Sequence, residues 1–172
     1  MRPEEFARLV IENHVKGNEK LELPIKLTGV DVEKAGAFVS LKTSDGDLRG
    51  CIGTIASTRN SVIEEIMYNA ISSATKDPRF QPVQEFELES LKYSVDILHL
   101  PERVMSLDEL DPKVYGIIVS SEKGRQALLL PDLEGLDTIE KQVAACMRKA
   151  GISLEEKIAV QRFKVDRFSQ EK

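Results

Sequence analysis

Arg49 and Cys51 lie two residues apart in the run Leu48-Arg49-Gly50-Cys51-Ile52-Gly53, and no other pair in this sequence is as well suited to chemistry. Side chains alternate along a strand, so a spacing of two puts the guanidinium and the thiol on one face. Upstream, Asp45-Gly46 suits a two-residue type I′ hairpin turn. Such a turn pairs Lys42 with Arg49, Ser40 with Cys51 and Phe38 with Gly53. Ser40, Lys42, Arg49, Cys51 and Gly53 then share a face, while Val39, Leu41, Leu48 and Ile52 turn to the core. Positive neighbours favour the thiolate, the form of cysteine that acts as nucleophile or soft ligand. Lys42 facing Arg49 is repulsive unless an anion sits between them, which suggests a site for a carboxylate or phosphate group. Gly50 and Gly53 leave room for a ligand or a second backbone. The competing reading is a small packing cysteine flanked by bulge glycines. Nucleophilic catalysis ordinarily needs a base, and His14 and His99 belong to no catalytic constellation.

Further candidates lie downstream. In Asp77-Pro78-Arg79-Phe80, Pro78 stops the preceding helix. Arg79 can clamp an anion or close a structural clasp with Asp77. Asp96 lies on the strand face opposite Tyr93, Val95 and Ile97, where it can orient Arg49, serve as a base or simply be solvated. Tyr115 can donate its hydroxyl to a ligand or pack half-buried. Cys146 falls on an apolar helical stripe and reads as core.

These residues need a scaffold, and local patterns supply one. Pro3 to about Val15 reads as a helix with Pro and two acidic residues in its first turn. Ala37–Lys42 and 47–55 read as hairpin strands. Val62, Ile63, Ile66, Met67, Ala70, Ile71 and Ala74 recur at helical spacing behind a Ser61/Glu64 capping box. Tyr93–Leu98 alternates as a strand, and 115–120 with 126–130 form a second hairpin. A helix from Ile139 to Ala150, capped by Asp137 and Glu140 and ended by Gly151, precedes a closing strand over 159–168. Strands and helices without regular βαβ alternation predict an α+β fold, a largely antiparallel sheet with packed helices.

The chain has 172 residues, the size of one domain, with 41% apolar and 31% charged residues. A net charge of -5 argues against nucleic-acid binding. No apolar run predicts a membrane span or a signal peptide, and two distant cysteines outline neither a zinc site nor a disulfide framework. The expectation is a cytoplasmic protein with free thiols.

The central hexapeptide, with Phe38-Val39-Ser40-Leu41-Lys42, Asp77-Pro78-Arg79-Phe80, Ser94-Val95-Asp96-Ile97-Leu98, Tyr115-Gly116, Leu128-Leu129-Leu130-Pro131 and Lys149-Ala150-Gly151, resembles the AMMECR family over nearly the whole chain. The resemblance implies a single AMMECR-type domain over 1–172, with two unequal lobes around a cleft that holds the hexapeptide. Prokaryotic members resemble the first component of the AmmeMemoRadiSam gene system, which implies Memo-like and radical S-adenosylmethionine proteins as partners. It names neither a cofactor nor a defined reaction. This chain lacks the tryptophans common near the C-terminal helix of many members. Two functions follow as expectations. One is an enzyme or enzyme-system component that handles a small anionic substrate, or a partner protein, through a Cys51 thiolate supported by Arg49. The other is a non-catalytic docking module. A third, in which Gly50-Cys51-Ile52-Gly53 is the GXXG loop of an RNA-binding KH module, conflicts with its place after a hairpin turn in an acidic chain.

Overall fold

The order of elements is α1 (Pro3–Val15), β1 (Ala37–Lys42), β2 (Leu48–Gly53), α2 (Val62–Thr75), β3 (Lys92–Leu98), β4 (Glu102–Arg103), β5 (Gly116–Ser121), β6 (Gln126–Leu129), α3 (Ile139–Ala150), β7 (Ile158–Phe163) and β8 (Val165–Ser169). This computed structural model describes residues 1–18 and 20–170. The fold is α+β, with two four-stranded antiparallel sheets ordered β2-β1-β3-β8 and β4-β7-β5-β6. The expected closing strand is two strands, β7 and β8, and Lys164 separates them. One joins the second sheet and the other the first. Alternation alone could not reveal the break, because both halves keep the same two-residue period.

The chain forms two compact units, Met1–Leu98 with the stretch from Asp166 onward, and His99–Val165. In the first, Phe6, Ala7, Val10 and Ile11 of α1 and Val62, Ile66, Ala70 and Ala74 of α2 are buried with Val39, Leu41, Tyr93, Val95 and Ile97 of the sheet. The helical stripe and the alternate strand positions expected from sequence therefore meet in one core. Ser61 caps α2 by accepting the Glu64 N–H at 3.2 Å, while the Glu64 carboxylate reaches the Asn60 N–H.

In the second unit, Cys146 and Met147 of α3 pack with Ile117, Val119, Ala127 and Val160. Burial pushes the Cys146 thiol pKa up. Thr138, rather than Asp137, caps α3 by accepting the Lys141 N–H. Gly151 ends the helix at φ 68, the left-handed conformation that glycine adopts most cheaply. Among the described residues no helix is long and apolar enough to cross a membrane.

Candidate functional site

The hairpin that carries the hexapeptide departs from the expected turn. Thr43 N–H donates to the Asp47 carbonyl at 2.8 Å and Gly46 N–H donates to the Thr43 carbonyl at 3.0 Å. Gly46, not Asp45, takes the positive φ. The loop therefore has three residues with glycine at the bulge position, not the two of a type I′ turn. Lys42 opposes Leu48, and an irregularity then brings Leu41 opposite Gly50, Ser40 opposite Cys51 and Phe38 opposite Gly53. The longer loop shifts the register by one residue and the bulge at Arg49 shifts it back, so Ser40 and Cys51 pair as expected. Lys42 and Arg49 do not pair, so the two cations need no anion between them. Lys42 is exposed. Leu48 is also exposed rather than core, because it precedes the bulge and its alternation is reversed. The hexapeptide is an edge strand, which excludes a GXXG loop between helices.

Both glycines are closely approached by the protein itself. A Cβ on Gly50 would overlap the Ser73 carbonyl oxygen of α2, and one on Gly53 would overlap the Phe38 ring.

Cys51 is partly exposed and held at three points. The Ser40 hydroxyl donates to its sulfur at 3.1 Å. Its N–H donates to Asp77 Oδ2 at 2.9 Å, and Arg79 Nη2 donates to its carbonyl at 3.4 Å. Asp77 and Arg79 are joined by two side-chain hydrogen bonds, Nε to Oδ1 at 3.0 Å and Nη2 to Oδ2 at 2.8 Å, and by the Arg79 N–H donating to Oδ1 at 3.1 Å. β2 is an edge strand, so this clasp takes the backbone hydrogen bonds that a further strand would otherwise claim. Asp77 is buried, but the Arg79 side chain remains 54% exposed. Arg79 is thus an accessible cation at the Cys51 backbone.

The Arg79 hydrogen bonds hold the Asp77 carboxyl well below its ordinary range; the Cys51 N–H adds to this and burial opposes it. A carboxylate lowered by folding contributes stability above its unfolded pKa of about 3.9, and that stability is lost as the pH falls. The urea midpoint is therefore expected to decline between about pH 5 and pH 2. Asp77→Asn should flatten that decline and cost about 1 kcal/mol at neutral pH, a modest figure because Arg79 is solvated. Urea titrations of both proteins across that range check this, and parallel pH profiles would count against the clasp.

Arg49 is oriented by Glu87, which sequence reasoning missed. Its Nε donates to Oε1 at 2.7 Å and its Nη2 to Oε2 at 3.0 Å, with the two side chains 14% and 21% exposed. Arg49 hydrogen bonding lowers the Glu87 pKa against the effect of burial. Glu87 also accepts the Gln84 N–H at 2.8 Å, fixing the single turn 85–87 that carries Phe86, 85% exposed. The guanidinium groups of Arg49 and Arg79 lie 5.8 and 5.5 Å from the Phe80 ring centroid. Arg49 Nη1 is buried without an acceptor among the described residues. The Gln84-to-Glu87 spacing resembles a capping box, but nothing in the sequence singled out Glu87 from Glu85 or Glu89.

Asp96 does not orient Arg49. It sits on β3 opposite Phe38, two strands from Cys51, and accepts Arg167 Nε at 2.7 Å. Two strand spacings are about 10 Å, too far for direct proton transfer with the thiol. Burial raises the Asp96 pKa even though Arg167 opposes it. The same register puts Ser94 opposite Ser40, continuing the row that starts at Cys51. Tyr115 belongs to the second unit, where the Arg162 guanidinium lies 4.4 Å from its ring centroid and its carbonyl accepts Gln142 Nε2 at 2.9 Å. Among the described residues no group of three or more His, Cys, Asp or Glu side chains is placed to hold a metal ion.

The AMMECR1 family model matches residues 4–172. A protein of Thermotoga maritima is 47% identical over 167 residues, covering 95% of this chain and 94% of that protein. A protein of Methanothermobacter thermautotrophicus is 38% identical over 160 residues, covering 86% of this chain and 79% of that one. The crystal structure of an uncharacterized protein from Pyrococcus horikoshii is similar at a TM-score of 0.85 and 30% identity, covering 98% of this chain and 90% of that one.

Proposed function

The chain belongs to the AMMECR1 family, and from that premise we propose that it is an enzyme or enzyme-system component acting on a small anionic substrate or a partner protein through Cys51. The observation that carries this reading is the hold on Cys51: its N–H, carbonyl and sulfur each have a partner while the residue stays partly exposed. Such a thiol is fixed in direction before a ligand arrives, which lowers the cost of reaching a reactive geometry. The Ser40 hydroxyl donates to the sulfur, an arrangement suited to a thiolate. Arg79 offers an anionic substrate an exposed cation, and Arg49 supports the site from behind through Glu87. We place the reaction in the cytoplasm, where free thiols persist, with the Memo-like and radical S-adenosylmethionine proteins implied by family resemblance as partners.

Limited alkylation of the native protein tests this reading. Iodoacetamide should modify Cys51 while the buried Cys146 reacts on the order of a hundredfold more slowly, because it must wait for the second unit to open. Peptide mass spectrometry would locate the adduct. Equal labelling of both cysteines, together with full cellular function of Cys51→Ser, would sink the proposal.

A docking module is the second reading, favoured by Phe86 and Leu48, both exposed on segments adjoining the Arg49–Glu87 pair. It predicts that Cys51→Ser is tolerated while Arg49→Glu abolishes complex formation.

A further inference from the structure

The second unit carries a groove of about 220 Å³ with a largely apolar lining. Ile139, Val143 and Met147 of α3 line it together with Leu107 and Leu154. The volume lies below the roughly 300–1,000 Å³ of small-molecule sites and suits aliphatic side chains inserted from another chain. Leu107 and Leu154 are 49% and 82% exposed, and Met105, two residues before Leu107, is 83% exposed. A single exposed leucine is ordinary, but two bordering one apolar groove mark an interaction surface. The Leu107 side of the groove is formed in advance: the Glu109 carboxylate accepts the Met105 and Ser106 N–H groups at 2.8 Å each and fixes the single turn 107–109.

Charge narrows the occupant. The charged residues that line the groove are Asp108 and Glu140, both exposed carboxylates. Asp108 accepts the Ser106 hydroxyl at 3.4 Å, and neither carboxylate is ion-paired among the described residues. The cations of α3 are engaged elsewhere or lie beyond the lining. Lys141 pairs with Asp137 at 2.6 Å, Lys149 donates to the Leu128 carbonyl at 2.9 Å, and Arg148 follows Met147, the last residue of α3 in the lining. An apolar groove with an acidic rim is complementary to apolar residues flanked by lysine or arginine. Ile139, Val143 and Met147 recur every fourth residue, a ridge that interdigitates with the same spacing on an opposing helix.

From these features we propose that the groove docks an amphipathic helix of a partner protein, its apolar anchors between Leu107 and Leu154 and its lysine or arginine residues beside Asp108 and Glu140. Every residue of the groove belongs to the second unit and Cys51 to the first, so this surface stands or falls without the Cys51 reading.

Amide chemical-shift titration of the full chain with a capped helical peptide of about 16 residues tests the assignment. The peptide carries a leucine stripe at i, i+3, i+4 and i+7 flanked by lysines, and its counterpart carries glutamate in place of each lysine. The lysine peptide should give saturable shifts in α3 and the turn 107–109, with the glutamate peptide at least about tenfold weaker. Leu154→Asp should weaken the lysine peptide about tenfold and preserve the spectrum of the fold, since the side chain is 82% exposed. If that variant disturbs the fold, Glu140→Lys decides, with the same loss expected and the glutamate peptide strengthened. The proposal is overturned if the lysine peptide gives no saturable shifts or gives them outside the groove. It is also overturned if the glutamate peptide binds as well, or if the deciding variant binds as wild type does. Shifts of the α3 signals on simple dilution would place a second copy of this chain in the groove and overturn it too.

Discussion

Replacing Gly50 with alanine is expected to destabilise the first unit by about 3 kcal/mol, a fall in Tm of roughly 10 °C. On strand propensity alone the opposite sign would be expected, since alanine loses less conformational freedom than glycine on folding. Position decides the sign. The added methyl would overlap the Ser73 carbonyl oxygen, which belongs to the backbone of α2 and cannot rotate away. Either α2 lifts from the sheet, exposing Ala70 and Ala74, or β2 shifts and disturbs the Cys51 clasp. Gly53→Ala is the control. There the neighbour is the root of the Phe38 ring, which can move away only by rotating the whole side chain about χ1, so a smaller loss of about 1–2 kcal/mol is expected. Thermal unfolding of both variants checks the contrast, and a Gly50→Ala protein as stable as wild type would refute the close packing of α2 on β2.

Arg49→Ala is expected to cost about 2–3 kcal/mol, below the 3–5 typical of a fully buried pair because both side chains keep some solvent contact. Glu87→Ala should cost a similar amount, and the double variant little more than either. The coupling in such a cycle should reach about 2 kcal/mol. Arg49→Lys should recover only part of the loss, since an ammonium cannot present the two parallel donors that Glu87 accepts. Arg79→Ala provides the comparison, with a loss under about 1 kcal/mol expected because its side chain is half solvated. If the proposed chemistry holds, Arg79→Ala slows Cys51 reactions while Arg49→Ala acts mainly on stability. Urea denaturation of the variants with alkylation rates measured in parallel separates the roles, and additive losses at Arg49 and Glu87 would refute their coupling. The Glu87 contribution is also pH-dependent. Its folded pKa is lowered, so the stability is present above the ordinary glutamate pKa and is lost as the pH falls.

The two arginines of the site therefore divide its work. Arg49 ties the hexapeptide to the turn 85–87 and is nearly spent on Glu87, whereas Arg79 closes the edge of β2 and still faces solvent. Sequence spacing favoured Arg49 as the cation of the chemistry, because it shares the expected face with Cys51. The bulge removes that simple alternation, and the clasp brings in Arg79 from beyond α2.

Much of the scaffold was legible because it rests on local physics. Pro3 with Glu4 and Glu5 starts α1, Ser61 caps α2, and the period of Val62 to Ala74 decides which face of that helix is buried. The Ser40–Cys51 pairing was also legible, although through two departures that cancel: a loop one residue longer than expected and a bulge of one residue. What only the tertiary structure decided are choices between residues far apart in the chain. Arg49 finds Glu87 rather than Asp96, Asp96 finds Arg167, the Gly50 position accepts the backbone of α2, and the closing strand divides between two sheets. The physical reason is the range of the interactions. Capping and side-chain periodicity act over a few residues and leave a mark in the sequence, whereas an ion pair forms wherever packing brings two charges within about 3 Å, at any separation along the chain.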